Sequence, residues 1–137
     1  MSDTKVLKKE YTGSTNKVVH CEGALESFHE AAKSVTASKK KSLIRQMIMQ
    51  IERLARGERM SSGNFAPEST LPKASKGKKF YALKKIPIRG YCWQSSKNPK
   101  NYYISHYISK DFQKLRQKDI DIVHGNWTRI EVDGDEC

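Results

Sequence analysis

The stretch TASKKKSLIRQMIMQIERLARG, residues 36–57, constrains the fold of this chain more than any other. Its apolar residues Leu43, Ile44, Met47, Ile48, Ile51, Leu54 and Ala55 recur at helical spacing and form one wide stripe. Thr36 or Ser38 stands ready as an N-cap, and Gly57 is a natural C-terminal stop. Just before it, Leu25, Phe28, Ala32 and Val35 repeat with the same period over residues 24–35. Two consecutive amphipathic helices make a hairpin whose apolar stripes must cover something apolar. The Met and Ile residues of the stripe are therefore core positions.

The surface to be covered lies further along. FYAL (80–83), IPIRGYCWQ (86–94) and YYISHYIS (102–109) are strand-like runs, the last two separated by the turn-forming SSKNPKN (95–101). KVVHC (17–21) is a short strand candidate before the hairpin, and residues 111–124 predict a helix with Phe112, Leu115 and Ile122 buried. Residues 58–79, with two glycines, two prolines and several serines, predict a long basic loop. The order β-α-α, loop, β-β-β, α gives an α+β fold: a small twisted antiparallel sheet packed against an N-terminal helical hairpin, with a short C-terminal helix. The expected organisation is a polar arm (1–16), a single domain (17–130) and an acidic tail (131–137).

At 137 residues, 36% hydrophobic and 30% charged, the chain suits one soluble domain. It has no apolar run near the ~20 residues of a membrane span. Its start lacks the apolar block of a secretory signal, so the expected location is cytoplasmic, with no membrane partner. Cys21, Cys92 and Cys137 form no CxxC pair, and His20, His29, His106 and His124 lack ligand spacing. No disulfide, metal or cofactor is expected. The net charge of +11 is concentrated in residues 58–101, which hold ten Lys/Arg against two acids. Such a segment suits a polyanionic partner, nucleic acid first; lysine-rich loops that merely aid solubility give the same count.

Strand alternation sorts the candidate chemistry. In the second strand Ile86, Ile88, Gly90 and Cys92 point one way, and Arg89, Tyr91 and Trp93 the other. A guanidinium between aromatic faces is one way of holding single-stranded RNA. The same pattern equally describes aromatics covering the back of a sheet beside a surface charge. In the third strand Tyr102, Ile104, His106 and Ile108 share a face opposite Tyr103, Ser105 and Tyr107, which makes His106 a core histidine apart from Tyr107. Phosphate-loop, dinucleotide and HExxH signatures are absent. What remains is metal-free chemistry by basic and aromatic side chains, which RNA permits because its own 2′-hydroxyl attacks the neighbouring phosphate.

These motifs resemble the RelE/HigB superfamily of toxin–antitoxin ribonucleases, in particular its phage-associated HigB-like branch. RLARG (53–57) resembles the end of the family's helical hairpin, FYALK (80–84) its next strand, and IRGYCW (88–93) its arginine- and aromatic-bearing strand. HYISKDFQKLRQKDIDIV (106–123) is similar to its last strand and helix start, and the likeness spans roughly residues 17–127. The resemblance implies a translation-inhibiting endoribonuclease that cleaves mRNA, often on the ribosome, and is held in check by a cognate antitoxin with a helix-turn-helix and an acidic segment. It implies Arg89 for transition-state charge, Lys84 or Lys85 and Lys110 as further cations, His124 as the proton-transfer histidine, and Tyr91 for stacking or proton transfer. His106 ranks lower. The RNA-binding set becomes Lys78, Lys79, Lys84, Lys85, Arg89, Trp93, Lys110 and Lys114. A non-catalytic member of the same fold, binding nucleic acid or a protein such as gyrase, is the alternative.

Overall fold

The computed structural model describes residues 6–109 and 115–135. The helical hairpin is present as α1 (Ala24–Ala31) and α2 (Ala37–Ala55), and every apolar residue of the α2 stripe is buried. Six strands, β1 (Glu10–Thr12), β2 (Lys17–His20), β3 (Phe65–Thr70), β4 (Lys79–Lys85), β5 (Ile88–Gln94) and β6 (Asn101–Ser109), form one sheet in the order β1-β2-β6-β5-β4-β3. β2 runs parallel to β6 and all other pairs are antiparallel, so the sheet is mixed rather than antiparallel throughout. The chain is α+β. The helical hairpin carries the chain from β2 to β3 at the far edge, and the antiparallel run β3-β4-β5-β6 brings β6 back to lie parallel beside β2.

Two cores form because both faces of the sheet are covered. On one face α1 and α2 pack Phe28, Met47 and Ile51 against Leu83, Ile88, Cys92, Ile104 and Tyr107. On the other, α3 (Gln117–Trp127) and the π-helical turn after it (Thr128–Val132) pack Val123, Trp127 and Ile130 against Phe80, Tyr91 and Trp93.

Several expectations need correction. Residues 6–16 are part of the folded body: Leu7 and Tyr11 are buried, and the backbone N–H groups of Thr15 and Asn16 both donate to the Ala55 carbonyl. Asn16 Nδ2 adds a bond to the Leu54 carbonyl, so TGSTN caps the C-terminus of α2. The predicted loop 58–79 contains β3, held to β4 by pairing and by Phe65 stacking on Tyr81 at 4.9 Å. Pro67 is tolerated there because β3 is an edge strand. Ile86 is 89% exposed in the β4–β5 turn, not packed under the helices. The last helix starts at Gln117 and buries Asp119, Val123 and Trp127, while Ile122 faces out. The expected acidic tail begins with a buried residue: Glu131 accepts bonds from Trp93 Nε1, Ser95 Oγ and the backbone N–H groups of Ser96 and Lys97 at 2.9–3.2 Å.

Candidate functional site

The sheet carries two β-bulges, and both feed one polar cluster under α3. In β6 the pairing steps from Ile104–Cys92 to His106–Tyr91, leaving Ser105 as the extra residue. Strict alternation is broken there, so Ile104 and Tyr107 face the helical hairpin while His106 and Ile108 face α3. His106 therefore does not share a face with Ile104, contrary to the simple strand pattern. It joins Arg89 and Tyr91 instead, with its ring 5.4 Å from that of Tyr91. In β3 the bulge falls at Glu68, whose carboxylate accepts from Arg89 Nη1 at 3.2 Å.

A chain of hydrogen bonds organises the histidine. Asn126 Nδ2 donates to Ser105 Oγ at 2.8 Å, and Arg116 Nε donates to Asp119 Oδ2 at 2.8 Å. Asp119 Oδ1 lies 3.0 Å from His106 Nε2, and Ser105 Oγ 2.9 Å from Nδ1. An ionised carboxylate only accepts, so the neutral ring carries its proton on Nε2, and Nδ1 accepts from the Ser105 hydroxyl. Burial pushes His106 below the ordinary histidine value, against the opposing pull of Asp119. Burial alone would raise Asp119, but the bonds from Arg116 and His106 together outweigh it and hold the carboxyl below its usual range.

Tyr91 sits among these charges, fully buried, and its hydroxyl has no hydrogen-bond partner among the described residues. Burial, then the charges of Asp119 and Glu68, raise its pKa well above the usual phenol, with Arg89 and Arg116 opposing. It is a neutral donor with its proton unspent. An orphaned buried hydroxyl costs about 1–3 kcal/mol and is uncommon in natural cores. This side chain, central to the cluster, is its least explained by packing.

The other expected site residues fall differently. Trp93 is fully buried with its indole N–H on Glu131, so neither it nor Tyr91 presents a face to a base; the stacking role assigned to them does not fit. The Arg89 side chain is 14% exposed and ion-paired, so it is not a free surface charge. His124 Nε2–H donates to the Thr70 carbonyl at 2.8 Å, tying α3 to the end of β3; no bond or ring contact links it to Arg89, Tyr91 or His106 among the described residues. Lys84 and Lys85 are half-buried near the β4–β5 turn, and Lys78 and Lys79 are exposed, Lys78 reaching Ser96 Oγ. Lys110 and Lys114 lie outside the described residues. Sequence reasoning missed Ser105, Glu68, Arg116, Asp119 and Asn126. The available signal was Glu68 as the only acid between Arg59 and Arg89.

Among the described residues, no three His, Cys, Asp or Glu side chains come together as metal ligands, and no helix is long and apolar enough to cross a membrane. Comparison of the chain with protein-family models, curated proteins and solved structures finds no match.

Proposed function

We propose that this chain is an RNA-cleaving toxin of the RelE/HigB kind, inhibiting translation by cutting mRNA, probed first on the ribosome, and neutralised by an antitoxin with an acidic segment. One observation carries the reading: the Ser105 bulge puts a neutral histidine on the same face as a largely covered arginine and a buried phenol that has no hydrogen-bond partner among the described residues. These are the residue types that RNA transesterification needs. His106, rather than His124, takes the proton of the 2′-hydroxyl at Nδ1, displacing the Ser105 hydroxyl. The O2′–P bond forms while the P–O5′ bond breaks, and the Tyr91 hydroxyl gives its proton to O5′. Arg89 and Arg116 neutralise the charge gathering on the phosphorane. The products are a 2′,3′-cyclic phosphate and a 5′-hydroxyl.

His106 and Tyr91 are closed in the described conformation, whereas Arg116 is more than half exposed on the segment entering α3. Substrate therefore reaches the cluster only when its cover opens, and Arg116, at the exposed edge, is the first cation it meets. That same closure favours a second reading, a non-catalytic member that holds RNA on its lysines: Arg89 and His106 are both already satisfied within the protein. Conditional expression separates the two. The nuclease reading expects growth arrest with fragmented mRNA, relieved by His106→Ala at equal protein levels. Normal growth with intact mRNA would overturn it.

A further inference from the structure

On the helical-hairpin side of the sheet, beside the β4–β5 turn, lies a cleft of about 560 Å³. Its polar lining includes Thr36, Lys39, Ser42, Lys85 and Ser109, its apolar wall includes Ile86, and among the described residues no acidic or aromatic side chain lines it. Gln46 Nε2 donates to Ser42 Oγ at 2.8 Å, which leaves the Ser42 O–H free to donate outward. Lys39 and Lys85 have no carboxylate partner among the described residues. Two unpaired ammonium groups and several hydroxyls around a cleft of ordinary ligand size suit an oxyanion. Among the described residues the lining offers no aromatic platform on which to stack a base.

The sheet register connects this cleft to the polar cluster. Lys85 pairs with Ile88, which pairs with Ser109; one step further in, Lys84 pairs with Arg89 and Arg89 with Ile108. The two sites thus occupy the same end of the sheet on opposite faces, joined across the β4–β5 turn. We propose that the cleft is a backbone-phosphate subsite for single-stranded RNA, holding a phosphodiester further along the strand whose scissile phosphate is presented to Arg89. Lys39 and Lys85 pair with its oxygens, and Ser42 and Ser109 donate to them. This rests on the RNA reading above. It adds a sequence-independent contact that positions the strand and contributes to affinity rather than to bond cleavage.

The test is fluorescence anisotropy of a labelled single-stranded RNA octamer with the full chain, together with cleavage kinetics. The variants are Lys39→Glu, Lys85→Glu and the charge-matched control Lys100→Glu. Lys100 precedes β6, whose opposite end carries Ser109, about 30 Å away at ~3.3 Å per residue. Each cleft variant is expected to weaken binding at least tenfold and to lower the salt-dependence slope by about 0.7. Lys100→Glu is expected to change affinity less than threefold. Equal losses in all three variants, or capture of a glutamate-rich peptide in the cleft with unchanged RNA affinity, would overturn the subsite. RNA bound through the cleft but never cut keeps the subsite and removes the nuclease. Cleavage with an unchanged KM in both cleft variants does the reverse.

Discussion

Acidification offers a quantitative test of the packing between the N-terminal segment and the sheet. His20 is fully buried, donating from Nδ1 to the Lys8 carbonyl at 2.8 Å and accepting from the Tyr107 hydroxyl at Nε2, 2.7 Å away. A carbonyl only accepts, so this tautomer is fixed, and a protonated ring would force the Tyr107 hydroxyl to turn from donor to acceptor. Burial, the largest cause, lowers the His20 pKa from 6.5 to about 4, despite the bonds that favour the charged form. The unfolded chain therefore binds a proton between pH 6.5 and about 4 that the folded one refuses. The stabilisation is fully present above pH 6.5 and is lost as the pH falls toward 4. Between pH 8 and pH 4.5 this one residue removes about 2.5 kcal/mol of stability. Urea denaturation at both pH values, for the native chain and for His20→Gln, isolates it. Glutamine retains a donor for Lys8 and an acceptor for Tyr107 but does not titrate. The native chain should lose about 2.5 kcal/mol more than the variant over this range. Equal losses in both would refute the reasoning.

Three further outcomes follow from the same structure. A Cβ at Gly13 would lie 2.4 Å from the Ala55 carbonyl carbon and oxygen, backbone atoms engaged in capping α2, so Gly13→Ala should destabilise by about 2–3 kcal/mol in thermal melts while Ser14→Ala stays neutral. Glu131→Gln replaces a carboxylate accepting four bonds with an amide that cannot accept them all; about 2 kcal/mol of stability should be lost, read by urea denaturation with Trp93 as the fluorescent probe. Tyr91→Phe removes a hydroxyl with no hydrogen-bond partner among the described residues, so stability should hold or rise by up to about 1 kcal/mol while RNA cleavage falls at least ~100-fold; loss of stability without loss of cleavage would make the hydroxyl structural.

How far the sequence could be read depended on whether local pattern or tertiary pairing decided each element. The α2 stripe was legible because helical period and burial agree from Leu43 to Ala55. The β5 alternation was legible too, placing Arg89 and Tyr91 on one face and Cys92 on the other. β6 misled because a single extra residue reverses every side chain beyond it, and only the partner strand reveals Ser105 as that residue. Glu68 was hidden in a segment whose Pro, Gly and Ser content resembles a loop, although its strand forms by docking on β4. Glu131 looked like tail because acidity marks exposure on average. Four donors from the β5–β6 region reverse that rule here. Asp119 stands in a charged helical stretch whose pattern reads as surface, yet its bonds to His106 and Arg116 hold it inside.

The central claim is that the face shared by Arg89, Tyr91 and His106 cuts RNA. Its most direct test is incubation of purified protein with a labelled single-stranded RNA, with and without ribosomes, followed by end-group analysis of the products. The account predicts fragments ending in a 2′,3′-cyclic phosphate and beginning with a 5′-hydroxyl, lost at least ~100-fold in His106→Ala with the fold retained. RNA left intact in both settings, or cut equally well by His106→Ala, would contradict it.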